Sequence, residues 1–336
     1  MERPILRDLV PIPEVWDRLE RVETRLFEVT QADDPFLTKI AQHLLGAGGK
    51  RYRPLVAQVA GELGADAGPG PIEAGVAVEL VHLGSLYHDD VIDEAETRRA
   101  AVSVNTNWSN TVAILAGDFL LARASEVAAP LGEEAVALLA RTYANLCEGQ
   151  VLELQLAGGL DHPIQDYYRV IGGKTASLIR TSARLGAMAA AASRDDIEAI
   201  SEWAWEMGLV FQLTDDVLDF VATEEFLGKP AGSDIREGTF TLPLLRAAAG
   251  PNGTQLRRLL AGGKPYPPEA VDRVIAIVVD GGYVDGVLDD AERRLAASDE
   301  AAARIGDPVI AAVLHRLGAY LLDRVAAARS ARPAAR

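Results

Sequence analysis

Apolar residues recur with a helical period along almost the whole chain, and this pattern limits the protein to an all-α fold. Alanine and leucine dominate the 336 residues, aromatic residues make up only 6%, and alternating runs of β-branched residues are nearly absent. Alanine and leucine are strong helix formers, whereas a half-buried strand needs a period of two. We therefore expect no sheet and predict one large helical domain over residues 1–328, followed by a disordered tail over 329–336.

Proline and glycine mark where the predicted helices begin and end. The predicted helices cover about 12–31, 33–46, 53–64, 72–93, 108–129, 133–157, 164–171, 174–190 and 195–221. Residues 94–107 are polar and rich in turn formers, and 223–239 form a loop that contains glycine and charged residues. Three or four smaller helices are expected to follow, up to about residue 328.

Composition excludes several classes of protein. A hydrophobic content of 49% is ample for a core, and the single cysteine, Cys147, excludes an intramolecular disulfide and fits a reducing compartment. The N-terminus has no apolar signal core, and no run approaches the roughly 20 apolar residues of a membrane span. We expect a cytoplasmic protein. A net charge of −16 argues against nucleic acid as a partner, but it permits a small anionic substrate.

Two acidic sets share one spacing. Asp89, Asp90 and Asp93 close the predicted helix 72–93, and a second set, Asp215-Asp216-x-x-Asp219, closes the helix 195–221. On a helix the outer two aspartates lie one turn apart with the middle one beside them, so we expect three carboxylates to converge. Such a group needs a cation. A single set is more often a solvated helix face, but two copies within apolar sequence favour metal binding.

Basic residues also form short clusters beside apolar helical stretches. Lys50-Arg51-Tyr52-Arg53 is one cluster, and Arg98-Arg99 follows the first acidic set directly. Arginine offers a two-pronged donor to phosphate oxygens and lysine offers a compact charge. These clusters therefore favour a phosphate-rich ligand.

Together these motifs resemble those of the trans-isoprenyl diphosphate synthases, the polyprenyl synthase family, from about residue 30 to 328. The chain looks most like the medium- and long-chain polyprenyl or the geranylgeranyl diphosphate synthases. The motifs that carry the resemblance, in chain order, are Gly48-Gly49-Lys50-Arg51-Tyr52-Arg53-Pro54, Asp89 to Asp93 with Arg98-Arg99, Ala116-Gly117-Asp118-Phe119-Leu120, Gly172-Gly173-Lys174-Thr175, Phe211 to Asp219, and Gly228-Lys229-Pro230.

The resemblance implies a helical bundle of the isoprenoid synthase type, with an active-site cavity between central helices, and a homodimer. It implies a prenyltransferase that uses Mg²⁺, or Mn²⁺ in its place, to join isopentenyl diphosphate head to tail to an allylic diphosphate. The allylic diphosphate leaves to give a carbocation, the double bond of isopentenyl diphosphate attacks it, and a proton leaves. Both acidic sets would clamp the allylic diphosphate through the metal ions.

The resemblance also implies roles for individual residues. The metal ligands would be Asp89, Asp90, Asp93, Asp215, Asp216 and Asp219. The cations around the allylic diphosphate would be Arg98, Lys174 and Lys229, while Thr175 and Gln212 would steady the carbocation and the surroundings of the abstracted proton. Isopentenyl diphosphate would bind without metal to Lys50, Arg53, His82 and Arg99. By itself, however, His82 on an apolar helix could equally be a core residue, and Lys229 could be merely solvated.

Some positions depart from the family pattern. The family usually has glycine after the paired arginines, where this chain has Ala100, which would stiffen the loop. Ser233 and Thr239 stand where many relatives have lysine, and Arg236 could compensate for the missing charge.

The helix that ends at Asp93 is also the predicted gauge of product length. Each helical turn advances about 5.4 Å, close to one isoprene unit, so residues one turn apart act as successive rulers. Short-chain relatives have an aromatic residue four or five positions before the first aspartate, where this chain has Gly84 and Ser85, with Val81 one turn further up. We therefore predict a product longer than fifteen carbons, of medium or long chain, with geranylgeranyl diphosphate as the alternative. The competing interpretation is that Gly84 and Ser85 only permit close helix packing.

Two rival functions stay open at this point. A terpene cyclase also ionises prenyl diphosphates with aspartate-rich motifs, but it would not need the basic cluster at 50–53, because it binds no isopentenyl diphosphate. A non-catalytic subunit of a heteromeric synthase would tend to lose aspartates, whereas both sets are intact here.

Overall fold

Helices form nearly all of the regular structure in the computed structural model, which describes residues 3–65, 68–228 and 230–331. The first ten α-helices are α1 (Arg3–Leu9), α2 (Pro13–Val29), α3 (Pro35–Ala41), α4 (His43–Gly46), α5 (Tyr52–Ala60), α6 (Gly70–Ile92), α7 (Val104–Asn107), α8 (Asn110–Ala128), α9 (Glu133–Leu156) and α10 (Ile164–Ile171). The remaining nine are α11 (Ser177–Ala189), α12 (Arg194–Val221), α13 (Glu224–Leu227), α14 (Ser233–Glu237), α15 (Leu242–Ala249), α16 (Gly253–Leu260), α17 (Pro268–Asp280), α18 (Tyr283–Ala302) and α19 (Pro308–Ala331).

Shorter elements complete the described chain. Two 3₁₀ turns cover Gly61–Leu63 and Ala129–Leu131, and a π-helical turn covers Gly172–Ala176 between α10 and α11. Two strands of two residues each, β1 (Thr97–Arg98) and β2 (Ala101–Val102), pair antiparallel. The all-α class is confirmed, although the expectation of no sheet missed this hairpin.

The described residues divide into two compact units, where the sequence suggested one domain. The first unit draws its described residues from Met1–Ala144, Leu178–Ser201 and Ala303–Val313. The second draws them from Asn145–Ser177, Glu202–Ala302 and Leu314–Arg336.

The first unit is built around α6. This helix packs against α8, α5 and α2, and it is buried on nearly all sides, as expected for a helix that is apolar all round. Gly84 lets α6 approach α8 closely, since an added Cβ there would lie 3.1 Å from Gly117 O. In contrast, α2 is amphipathic and buries one stripe, formed by Val15, Trp16, Leu19, Val22 and Leu26. The centre of this unit is therefore the helix that carries the first acidic set.

The second unit contains the part of α12 that carries the second acidic set. This part buries a stripe with helical spacing, formed by Trp203, Met207, Val210, Leu213 and Val217. Gly208 brings α12 against the π-helical turn, since an added Cβ there would lie 2.5 Å from Ala176 Cα. This close contact places the motif at 172–175 beside the second acidic set.

Several predicted boundaries differ from the structure. The segment 223–239, predicted as a loop, contains α13 and α14, and the region after it holds five helices rather than three or four. The last helix continues to Ala331, inside the predicted tail, where Arg329 Nη2 donates to Asp285 Oδ1 at 2.7 Å. Residues 332–336 lie outside the described chain.

Candidate functional site

The first acidic set lies where α6 ends. Asp89 and Asp90 occupy its last turn, and Asp93 is its C-cap, with its backbone N–H donating to Asp89 O at 2.8 Å. Asp89 is half-buried and Asp93 is exposed, but Asp90 is only 1% exposed. Asp90 lies about 60° around the helix axis from Asp93, but its carboxylate is buried and accepts from Arg98, whereas Asp93 is exposed. The predicted convergence of all three carboxylates is therefore absent.

Across the three described ranges, no group of three or more acidic, histidine or cysteine side chains is arranged as a ready-made metal site. Both sets keep their aspartates at helical spacing, but neither forms such a group among the described residues. The assignment of the six aspartates as metal ligands thus stays a prediction.

Arg98 is the partner of the buried Asp90. Its Nε donates to Asp90 Oδ1 at 2.7 Å. Burial raises the pKa of the Asp90 carboxyl, and the nearby Arg98 guanidinium opposes that rise. The hairpin of β1 and β2 therefore delivers a cation to the last turn of α6.

The turn of this hairpin contains the residue that departs from the family pattern. Arg99 and Ala100 are its two central residues, and both have left-handed backbone, with φ of 53° and 59°. A two-residue turn of this type needs positive φ at both positions, which glycine adopts more easily than alanine. Ala100 therefore adds strain to the loop that presents Arg98 and Arg99.

A second group of cations, the arginine cluster, consists of Arg51, Arg53 and Arg99. A glycine turn before α5 makes room for it. Gly48 and Gly49 have φ of 86° and 153°, and a Cβ on Gly49 would lie 2.6 Å from Arg51 Nη1 and 2.8 Å from Arg99 Nη1. The glycines of the motif thus permit two guanidiniums to pack directly against the main chain.

Three of the four residues predicted to bind isopentenyl diphosphate come together at this cluster. Burial lowers the pKa of both Arg53 and Arg99. The pKa of His82 is well below its ordinary value, first because of burial and then because Arg53 and Arg99 lie nearby. His82 is therefore neutral and can donate a hydrogen bond without adding charge. The fourth residue, Lys50, is exposed.

The residues predicted to set the product length lie in two different environments. Val81 is 2% exposed. Gly84 faces α8, where an added Cβ would lie 3.1 Å from both Gly117 O and Leu121 Cγ. Ser85 is half-buried, and its hydroxyl donates to His82 O at 2.9 Å. Gly84 thus matches the packing interpretation. The role of Ser85 in product length stays a prediction.

The second acidic set lies in the last two turns of α12. Asp216 and Asp219 are 2% and 1% exposed, whereas Asp215 is exposed and has Arg324 Nη1 3.8 Å from its Oδ1. Asp219 accepts from the backbone N–H groups of Ser233 at 3.3 Å and Asp234 at 3.2 Å. As in the first set, the middle aspartate is buried and one of the outer two is exposed.

Asp216 ends a chain of hydrogen bonds. The Thr175 hydroxyl donates to Gln212 Oε1 at 3.0 Å, and Gln212 Nε2 donates to Asp216 Oδ1 at 2.8 Å. The Tyr167 hydroxyl donates to the other oxygen, Asp216 Oδ2. Burial raises the pKa of Asp216 well above its ordinary value, and the neighbouring Asp234 adds to that rise, while the two donors oppose it. Thr175 and Gln212, both predicted site residues, thus help to fix the position of the Asp216 carboxylate.

The remaining predicted cations have different positions. Lys174 lies in the π-helical turn and pairs with Glu153 of α9. Lys229 lies outside the described residues.

Arg236, expected to compensate for missing lysines, donates to Ala231 O within its own loop. Ser233 donates its hydroxyl to Pro230 O at 2.7 Å, so this position caps the loop instead of supplying charge.

Sequence reasoning missed three residues at these positions. No local sequence pattern links Tyr167 to Asp216, because the two residues lie 49 positions apart in the chain. Arg51 belonged to a recognised motif but received no role. Glu79 did carry a signal, since it is the only charged residue between Glu73 and His82 in an apolar helix, and the structure places it at 1% exposure beside Arg51.

Within the described ranges, no helix combines the length and apolar character needed to cross a membrane.

Comparison with known proteins gives consistent matches. The family model for polyprenyl synthetase matches residues 34–278. The chain is 42% identical over 238 residues to nonaprenyl diphosphate synthase from Mycobacterium tuberculosis, a match that covers 70% of this chain and 71% of that protein. It is also 42% identical over 232 residues to heptaprenyl diphosphate synthase component 2 from Geobacillus stearothermophilus, covering 69% of this chain and 72% of that protein.

Solved structures agree with these sequence matches. The polyprenyl synthase from Caulobacter crescentus CB15, complexed with calcium and isoprenyl diphosphate, superposes with a TM-score of 0.86 at 31% identity. The superposition covers 94% of this chain and 97% of that one.

Proposed function

Because this chain belongs to the polyprenyl synthetase family and is a trans-prenyltransferase, we propose that it joins isopentenyl diphosphate head to tail to an allylic diphosphate. The product is a trans-polyprenyl diphosphate longer than fifteen carbons. The relatives named for nonaprenyl and heptaprenyl products support a medium or long chain.

The arginine cluster is the observation that carries this proposal. It places the neutral His82 beside Arg53 and Arg99. Guanidiniums bind diphosphate oxygens directly and in pairs, without a metal ion. A terpene cyclase, which has a single diphosphate to bind, has no use for this second anion site.

The two acidic sets supply the oxygen ligands that Mg²⁺ prefers. Asp90 Oδ2 fits such a ligand, since it is buried and lacks a hydrogen-bond partner among the described residues, while Oδ1 is taken by Arg98. We assign Mg²⁺, or Mn²⁺ in its place, to Asp89, Asp90 and Asp93 and to Asp215, Asp216 and Asp219. Bound metal would neutralise the charge that develops on the leaving diphosphate.

The polar chain at α12 orients the groups beside the second set. Because Thr175 donates to the Gln212 carbonyl, the amide nitrogen of Gln212 must face Asp216. We propose that this fixed amide and the Thr175 hydroxyl steady the allylic cation, and that Arg98, Lys174 and Lys229 bind the departing diphosphate. Lys174 would exchange its partner Glu153 for diphosphate oxygens.

Product analysis tests the reaction. The protein is incubated with Mg²⁺, isopentenyl diphosphate and farnesyl diphosphate, and the dephosphorylated products are chromatographed. We expect isopentenyl diphosphate to be consumed and products beyond fifteen carbons to accumulate. A twenty-carbon end product would identify a geranylgeranyl diphosphate synthase. A cyclic hydrocarbon formed without consumption of isopentenyl diphosphate would contradict the proposal and identify a cyclase.

The substitution Ser85→Phe tests the length gauge in the same assay. If Ser85 lines the path of the growing chain, the aromatic ring shortens the product by one or more isoprene units. The matched variant Gly84→Ala, on the face toward α8, should leave the product length unchanged. An unaltered length distribution in Ser85→Phe would place the end of the path on another helix.

We propose a homodimer as the assembled enzyme. The support is a pair of adjacent, exposed apolar side chains on α8, Ile114 and Leu115, which are 44% and 60% exposed. Light scattering after gel filtration should give twice the mass of the chain. A monomer that consumes isopentenyl diphosphate only after a different subunit is added would contradict this and resemble the heptaprenyl relative, which is named component 2.

A further inference from the structure

Glu79 lies inside the arginine cluster, and the proposed reaction gives it no role. Its side chain is 2% exposed, and it stands on α6 ten residues, or about 15 Å, before Asp89. Its Oε1 accepts from Arg51 Nη1 at 3.0 Å and lies 3.9 Å from Arg99 Nη2. One buried carboxylate therefore contacts two of the three guanidiniums.

The same two arginines share a second anchor. Arg51 Nη1 donates to Gly48 O at 3.3 Å, and Arg99 Nη1 donates to Gly48 O and, at 3.3 Å, to Leu44 O. Glu79 and this stretch of backbone thus both hold the two guanidiniums. The arrangement fixes where each guanidinium plane lies, beyond neutralising its charge.

Backbone strain supports a need for precise placement. Five non-glycine residues in the described chain have positive φ, and two of them are Arg51, at 51°, and Arg99, at 53°. Left-handed backbone is unfavourable for such residues and persists where surrounding contacts determine it. Their contacts with Glu79 and the glycine turn are such contacts.

The charge balance leaves the cluster ready for an anion. Burial raises the pKa of Glu79, and Arg51, Arg99 and Arg53 oppose that rise. The other carboxylate in contact is Glu23, which accepts from Arg51 Nε at 3.1 Å from a more exposed position. Three guanidiniums facing two carboxylates leave a positive surplus, and Arg53 Nε is buried without a hydrogen-bond partner among the described residues.

We infer that Glu79 is a positioning residue for isopentenyl diphosphate: it holds Arg99 in place, by its own charge and through Arg51, so that Arg99 and Arg53 meet the diphosphate together. This inference rests on the proposed function. It competes with a simple electrostatic alternative that makes the opposite prediction. If Glu79 were only a counter-charge, its neutralisation would make the cluster more positive and would strengthen anion binding.

The substitution Glu79→Gln separates the two effects by the sign of the change. We expect KM for isopentenyl diphosphate to rise about tenfold, in the range seen when groups that orient a ligand's first contacts are lost, while KM for the allylic diphosphate changes less than about twofold. Glu23→Gln is the matched control. It removes a carboxylate that also pairs with Arg51, but its charge acts on Arg99 more weakly than that of Glu79 does, so KM for isopentenyl diphosphate should stay within about twofold of the unaltered protein.

A lowered or unchanged KM for isopentenyl diphosphate in Glu79→Gln would overturn the inference, as would an equal rise in both KM values. Should Glu79→Gln fail to fold, Glu79→Asp carries the same prediction, because the shorter side chain keeps the charge but loses its reach toward Arg99. If the unaltered protein consumes no isopentenyl diphosphate, the proposed function itself is wrong. If it does and the KM values do not separate, only the role of Glu79 is wrong.

Discussion

The two acidic sets repeat one spacing but hold their buried carboxylate in different ways. Asp90, in the first set, pairs with the charged Arg98 guanidinium. Asp216, in the second, accepts from the neutral Tyr167 hydroxyl and Gln212 amide. Both carboxylates are almost fully buried. The same motif thus meets a cation in one place and neutral donors in the other.

This difference shows that the spacing of the aspartates determines which face of the helix they occupy. It does not determine which residue pairs with the buried carboxylate. Arg98 follows Asp90 by eight residues, on a hairpin whose turn is strained at Ala100. Tyr167 comes from a separate helix, α10, and Gln212 from α12 itself. The buried aspartate of the first set therefore depends on one charged partner nearby in the chain. The buried aspartate of the second set depends on a series of hydrogen bonds, which single substitutions can remove one at a time.

The largest effect on stability is expected from Arg98→Met, which leaves Asp90 buried without its cation. Removal of one partner from a buried ion pair costs about 3–5 kcal/mol, and the 31% exposure of Arg98 reduces this to about 2–3 kcal/mol. Urea unfolding followed by circular dichroism, in the presence of a chelator, measures the loss.

The double variant Asp90→Asn with Arg98→Met is the control for this prediction. Because it removes the unpaired charge, it should recover most of the lost stability. If Arg98→Met alone unfolds at the urea concentration of the unaltered protein, the ion pair is unimportant and the comparison with the second set fails.

The next effect is expected from Tyr167→Phe, which removes one neutral donor from Asp216. A hydrogen bond to a buried carboxylate contributes about 1–2 kcal/mol, and kcat should fall several-fold because Asp216 loses its fixed orientation. Tyr168→Phe is the matched control, since the neighbouring hydroxyl donates to Asp290 at 2.9 Å, away from the set. Equal kcat values for the two variants would remove Tyr167 from the account.

A smaller effect is expected one link further along, from Thr175→Val. The change keeps the shape of the side chain but removes the hydroxyl that donates to Gln212. We expect a loss of stability of about 0.5–1 kcal/mol and a decrease in kcat of a few-fold. Single-turnover kinetics with saturating substrates would measure it, and an unchanged rate would limit the second set to its direct contacts.

The smallest effect is expected from Ala100→Gly in the hairpin of the first set. Relief of left-handed strain outweighs the added flexibility of glycine, so thermal unfolding should show a gain of about 0.5 kcal/mol. A loss of stability would mean that Ala100 stiffens the loop, as the sequence suggested, without straining it.

Much of the fold followed from local patterns in the sequence. The period of α6 and α12 and the glycines and prolines at their ends predicted both helices to within about two residues. The hairpin at 97–102 was missed because two-residue strands leave no alternating pattern, and Ala100 hides the glycine that usually marks such a turn.

The residues of the candidate site were predictable where they belong to short, continuous sequence motifs. The aspartates, Arg98 and the glycine-flanked arginines are of this kind. Tyr167 and Glu153 are not, because their partners are set by packing between helices that are distant along the chain. The burial of Asp90 was also missed, because the direction of a side chain at a helix end depends on what packs beside it.

The central claim, that both acidic sets serve the condensation, is tested most directly by Asp89→Asn and Asp215→Asn. Each change nearly preserves shape and removes one exposed or half-buried carboxylate charge, so both variants should fold. The measurement is the Mg²⁺-dependent consumption of isopentenyl diphosphate in the presence of farnesyl diphosphate. We predict a loss of roughly a hundredfold or more in kcat for each variant. Consumption at the unaltered rate by either folded variant would contradict the claim for that set.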